Sequence, residues 1–312
     1  MLQRNVRLDQ YAHWKIGGPA DYFCEPKNVE ELISALREGR TLGIPIFILG
    51  GGTNLLISDQ GFRGLVIRPL FEGIRCDGTQ IIAEAGVSME KLLTFAAASG
   101  LSGLEWAGGL PGTLGGAIRG NAGAFGGEIK DSVHKVVSID IEDHDFKMVK
   151  RENTECRFGY RTSIFKEKGN EVVIEATLVL KAGESDAIRL AGESRIAYRK
   201  ERHPIEFPNA GSVFKNVPVT SIPTALKESL AKVIKQDPFP VVPAAYLISE
   251  AGMKGSIAGG AKVSEKHPNF IVNTGGATAA DIETLIGMVK GKVKEKFGIM
   301  LEEEIMRVGE SR

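Results

Sequence analysis

Eleven of the 28 residues from Gly100 to Gly127 are glycine, in GLSGLEWAGGLPGTLGGAIRGNAGAFGG, and three more stand together at Gly50–Gly52. Glycine admits positive φ and lets another group come close without meeting a Cβ. Each cluster follows an apolar segment, so the backbone N–H groups of the loops can converge on an anion. Neither loop reads GxxxxGK[ST], which leaves no lysine for a γ-phosphate and no hydroxyl for magnesium. Neither reads GxGxxG opening a helix, so a Rossmann dinucleotide fold is not supported. The segment 41–58 contains no lysine or arginine. A phosphate held there is met by N–H dipoles, Thr53 and Asn54, which suits a buried diphosphate that is never transferred. Turns without any ligand are the plainer alternative.

The chain has 312 residues, enough for two domains or three small ones. Lys+Arg and Asp+Glu are 39 each, so no electrostatic footprint for nucleic acid or an anionic membrane is present. Cys24, Cys76 and Cys156 form no CxxC pair, and the histidines show no metal spacing. Residues 41–58 are uncharged, but Pro45 and the three glycines argue for a buried strand running into a loop rather than a membrane helix. A cytoplasmic protein without a signal peptide is expected.

Residues 28–40 predict a helix capped by Asn28, with Leu32 and Leu36 on one face. Residues 88–100 predict another, from Ser88 to Gly100. Residues 185–203 read as a polar helix ended by Pro204, with a domain boundary near there. From Asp281, Ile282, Ile286, Val289, Val293 and Phe297 share a helical face that Gly298 closes. PIFIL, LLIS, KVVSIDIED, VVIEATLVL and IMLEEEIMRV read as strands. The class is α+β.

Seven segments in order, KIGGPADYF (15–23), ILGGGTNLLISD (48–59), LPGTLGGAIRGNAGAFGGEI (110–129), FGYRTSIFK (158–166), GSVFKN (211–216), KHPNFIVN (266–273) and LEEEIMRVG (301–309), resemble the UDP-N-acetylenolpyruvoylglucosamine reductase family in its shorter form. The resemblance implies a two-subdomain FAD-binding fold of the vanillyl-alcohol-oxidase/PCMH type plus a C-terminal α+β substrate-binding domain. The parts are placed at 1–70, 71–203 and 204–312, with the last strand near 300–309 free to return to the FAD-binding part. It implies non-covalent FAD, since the first loop has no histidine or cysteine, NADPH as hydride donor, and reduction of an enolpyruvyl UDP-sugar in peptidoglycan precursor synthesis. No nucleic-acid or membrane partner is implied, and a monomer is expected. Phe125 stands where the family has tyrosine, Ser249 where an acidic residue is common, and residues 217–240 follow the pattern loosely.

Carried over residue by residue, the resemblance assigns the first loop, Gly50, Gly51, Gly52, Thr53, Asn54 and Leu55, to the cofactor. From the second it assigns Pro111, Gly112, Thr113, Gly115, Gly116 and Ala117, followed by Asn121 and Gly123. It puts Arg161 on the substrate carboxylate, where a guanidinium fork can grip two oxygens. Ser212 is the implied proton donor, a weak acid useful only against a strongly basic enol, and Lys215 could tune it. Glu304 is the implied catalytic carboxylate; on a strand Glu302 shares its face, so Glu302 is the alternative. Tyr160, Lys215, Asn216, Lys254, His267 and Asn269 are candidates for the sugar and diphosphate. Two other readings remain: a different flavin oxidoreductase acting on an alcohol or hydroxy acid, and a non-catalytic nucleotide-binding module.

Overall fold

The computed structural model describes residues 2–309. The chain divides into two compact units that are interleaved in sequence. The first takes the N-terminal residues through Val6, then Asp21–Gly51 and Arg63–Arg199. The second takes Arg7–Ala20, Gly52–Phe62 and the chain from Lys200 onward.

In the first unit, Asn28 accepts from the Glu31 N–H at 2.9 Å and starts the helix Val29–Thr41. Leu32 and Leu36 are fully buried in a core with Leu65, Ile67, Phe71 and Ile174. The strands of this part follow the order Gln3–Arg7, Pro19–Cys24, Phe62–Ile67, Ile46–Ile48, the last two parallel. A second core lies under a five-stranded antiparallel sheet ordered Met148–Glu152, Val133–Asp140, Glu171–Val179, Gln80–Glu84, Ile74–Asp77. Ser88 caps the helix Met89–Ala98, and Gly100 follows at φ +65°. The helix Ser185–Arg202 closes the unit's sequence before Pro204.

The second unit packs Trp14, Ile16 and Leu56 with Val213, Phe214, Leu247, Ile271, Ile286 and Val293. Trp14 Nε1 donates to Ile271 O at 2.7 Å, and Asn273 Nδ2 to Trp14 O at 2.9 Å. The long helix begins at Ala279 and ends at Phe297. It starts two residues before Asp281 because Thr278 and Asp281 cap each other's N–H groups in a reciprocal box. The strand expected over 299–308 forms only at Met306–Val308, parallel to Leu55–Ile57. Glu302–Glu304 lies outside any ladder because its backbone bonds to a different segment, Val213–Lys215, through an isolated bridge. Among the described residues, no helix is long and apolar enough to cross a membrane.

Candidate active site

The first glycine loop connects Ile46–Ile48 to Leu55–Ile57. Among the described residues, the backbone N–H groups of Gly50, Gly51, Gly52, Thr53 and Asn54 meet no protein acceptor. Five consecutive unengaged donors fit the charge of a diphosphate. A Cβ on Gly51 would stand 2.7 Å from Gly112 Cα, so the two glycine loops approach backbone to backbone. Gly52 has φ +65°, and a Cβ there would fall 1.9 Å from Tyr11 O. Leu55 is buried as the first residue of its strand.

The second loop meets the expectation of free amides only in part. Leu114 and Gly115 N–H donate to Val87 O and Ala85 O, both at 2.9 Å, and Gly116 N–H reaches Thr113 Oγ1 at 3.4 Å. The start of the helix Leu114–Gly120 is thus already engaged by the protein. Pro111 is exposed and has no N–H to offer, and Ala117 is buried. The loop packs closely against Gly51, and ahead of the helix the N–H groups of Gly112 and Thr113 meet no protein acceptor among the described residues. Asn121 is wholly buried with its carboxamide on protein backbone: Nδ2 donates to Gly159 O at 2.8 Å, and Oδ1 accepts from Lys130 N–H at 3.3 Å. Gly123 turns its carbonyl to Arg161, whose Nη2 donates to it at 2.8 Å.

Arg161 occupies the third position of a tight turn in which Gly159 and Thr162 exchange backbone hydrogen bonds. Its φ is +57°, a region where glycine or asparagine is the ordinary resident. Lys166 Nζ donates to its carbonyl at 2.9 Å, and Tyr160 sets its ring 5.3 Å from the guanidinium carbon.

In the second unit, Ser212 is half-buried after Gly211, which has φ +75°. Glu304 N–H donates to Val213 O at 2.8 Å and Lys215 N–H to Glu302 O at 2.9 Å. The segments therefore run antiparallel, and Ser212 lies one step from Glu304 across the bridge. Asn54 Nδ2 donates to Glu304 O at 3.0 Å, and Met306 N–H returns to Asn54 O at 3.0 Å. A side chain expected at the cofactor thus braces the backbone of the candidate catalytic glutamate. The acidic run splays: Glu302 is 72% exposed and paired with Lys215, while Glu303 is paired with Lys290 and Arg307. Burial works against the Glu303 carboxylate, but those two cations hold its pKa below the usual range. The strand expected through Glu302–Glu304 is reduced to the single antiparallel bridge at Glu303.

The substrate candidates separate. Asn269 is buried and clamps Phe214, accepting from its N–H at 3.0 Å and donating to its carbonyl at 2.8 Å. Asn216 Oδ1 accepts from Ala244 N–H at 3.1 Å, at the start of the helix Ala244–Glu250. Lys215 is engaged with Glu302, and Lys254 is exposed. His267 packs edge-on against Phe270 and His203. Burial pushes its imidazole down to about 4, and its Nδ1 meets no partner among the described residues. It is a neutral ring in an apolar setting. The side chains of Asn269 and His267 therefore serve the packing of the site in this structure.

Two features escaped the sequence reading. Asp59 accepts from Ala279 and Ala280 N–H at 2.9 and 3.3 Å, capping the long helix from the ILGGGTNLLISD segment; no spacing rule predicts a cap 220 residues away. Phe125, at φ +52°, lies under Arg195 and Arg199, whose guanidinium carbons stand 4.8 and 5.2 Å from its ring centre. The four-residue spacing of those arginines on a helix was the available signal.

Residues 20–145 match the family described as FAD binding domain, and residues 203–308 match UDP-N-acetylenolpyruvoylglucosamine reductase, C-terminal domain. A UDP-N-acetylenolpyruvoylglucosamine reductase of Caldanaerobacter subterraneus subsp. tengcongensis is 42% identical over 99% of this chain and 94% of its own. One from Anoxybacillus flavithermus is 40% identical over 99% and 94%. The crystal structure of the reductase from Thermus caldophilus superposes with a TM-score of 0.76 at 31% identity, covering 99% of this chain and all of that one. An FAD-binding domain, a dedicated C-terminal domain and full-length similarity converge, and the chain belongs to the UDP-N-acetylenolpyruvoylglucosamine reductase family of FAD-binding oxidoreductases.

Proposed function

We propose that the chain reduces the enolpyruvyl ether of UDP-N-acetylglucosamine enolpyruvate to UDP-N-acetylmuramate at the expense of NADPH, a cytoplasmic step in peptidoglycan precursor synthesis. Non-covalent FAD would supply the hydride chemistry that links NADPH to C3 of the vinyl group. The amides of Gly50–Asn54 hold its diphosphate. Hydride arriving at C3 drives negative charge through C2 into the carboxylate. Arg161 grips that carboxylate through two N–H groups and stabilises the charge as it develops. Ser212 donates the proton to C2, and Glu304 orients the carboxylate or enol beside it.

The observation that supports this reading best is the registration of Val213–Lys215 against Glu302–Glu304. It brings the candidate acid and carboxylate within one residue of each other, although 91 positions separate Ser212 and Glu304 in sequence (304 minus 212, less one). An alcohol oxidase would need a base near the flavin rather than a serine donor. The test is to mix the purified protein with NADPH and the enolpyruvyl sugar nucleotide. A product two mass units heavier is expected in ordinary water, with deuterium entering C2 when the reaction runs in heavy water. No product despite bound flavin and bleaching by NADPH would overturn the substrate assignment.

A further inference from the structure

Arg161 stands on a turn that is conformationally expensive to hold, and the side chain that holds it comes from elsewhere in the chain. At φ +57°, an arginine lacks the freedom that glycine would have, and such strain persists only where surroundings over-determine it. The first carbonyl of that turn, Gly159 O, accepts from Thr162 N–H inside the turn and from Asn121 Nδ2 at 2.8 Å. Asn121 is itself a left-handed residue, φ 42° and ψ 62°, capping the helix Leu114–Gly120. Its Oδ1 faces Lys130 N–H, just past the hairpin whose Gly123 carbonyl receives Arg161 Nη2. A second stitch runs parallel: the fully buried Ser163 donates from Oγ to Arg119 O at 2.8 Å.

We propose that Asn121 is a positioning residue for Arg161, setting the guanidinium for the substrate carboxylate. This rests on the role given to Arg161 above. The carboxamide joins the helix end, the hairpin and the turn through one donor and one acceptor. Only an amide of this length supplies both; a carboxylate of the same size has no hydrogen for Gly159 O. A displaced turn leaves flavin reduction intact and weakens the interaction that matters when charge reaches the carboxylate.

Asn121→Gly separates side chain from backbone, because glycine keeps the left-handed φ without strain. Asn121→Asp keeps size and removes the donor. Both variants should retain flavin and be bleached by NADPH at the wild-type rate. Reoxidation by the enolpyruvyl sugar nucleotide should slow about 10- to 100-fold, in kcat more than in KM. Arg161→Lys should cost less in the Asn121→Gly background than in wild type, since the two act as one unit. In flavin-stripped protein, amide exchange of residues 159–163 should quicken while that of 114–118 does not. Wild-type reoxidation in both variants, strictly multiplicative losses, or unchanged exchange would overturn the proposal. Loss of flavin by both would also overturn it, making Asn121 part of the cofactor loop. If Arg161→Lys alone reoxidises at the wild-type rate, the role given to Arg161 fails, and exchange at 159–163 still decides whether Asn121 holds the turn.

Discussion

The main-chain N–H of Glu304 donates to the carbonyl of Val213 at 2.8 Å, which places the acidic C-terminal run one residue from Ser212. Asn269 holds the same segment from another side, through both atoms of its carboxamide on Phe214. The backbone of Val213–Lys215 is thus fixed from two sides.

Ser212→Ala should leave the bleaching of flavin by NADPH unchanged, because hydride transfer to flavin requires no proton from this hydroxyl. Reoxidation by the enolpyruvyl substrate should fall by ~10²–10⁴-fold. Ser212→Cys restores an ionisable proton and should recover part of the rate. Anaerobic stopped-flow separates the two steps, and equal slowing of both would mean that the residue shapes the cleft instead.

Glu302→Ala and Glu304→Ala should differ sharply. Glu302 is 72% exposed in its pair with Lys215, and exposed pairs contribute about 0–1 kcal/mol. Its loss should leave steady-state turnover within about fivefold of wild type, an interval set by that small energy. Glu304→Ala should lower turnover by ~10²-fold or more. The reverse ranking would move the catalytic role to Glu302.

Gly51→Val should abolish flavin binding while the protein still folds. Even the first carbon of the side chain would sit 2.7 Å from Gly112 Cα, and backbone cannot yield as a flexible side chain would. The ratio of flavin to protein absorbance after purification measures the effect; a wild-type ratio would remove the first loop from the cofactor site.

His267 predicts a pH dependence of stability. Burial lowers its pKa to about 4, below the ordinary value near 6.5, so between these values the unfolded chain binds the extra proton. Stability is therefore fully present above pH 6.5 and is lost as pH falls toward 4, by on the order of 3 kcal/mol in total. The carboxylates of Glu171 and Glu303, held low by their cationic partners against burial, add their own loss at lower pH. Urea midpoints at pH 7 and pH 5 report the histidines; burial lowers His13 as well, so comparison with His267→Phe isolates His267. The wild-type midpoint should drop over that interval, and His267→Phe should flatten the drop; an equal drop in both would mean the imidazole is solvated.

What the sequence determined by itself was local. The helix over 29–41 was legible because Asn28, Leu32 and Leu36 act within a few residues of one another. The glycines marked the loops because only they tolerate approaches as close as Gly51 to Gly112. The ordered motifs identified the family. Tertiary structure alone decided which side chains of those motifs are engaged with distant backbone. Asn54, Asn121 and Asn269 read alike in sequence as polar residues within two positions of glycine or proline. Each carboxamide instead bonds to backbone that is distant in the chain: Glu304 O, Gly159 O, and both polar atoms of Phe214. The interleaving of Arg7–Ala20 and Gly52–Phe62 with the C-terminal residues was equally hidden. A buried carbonyl must find a donor, and which donor reaches it depends on long-range packing that no local spacing encodes.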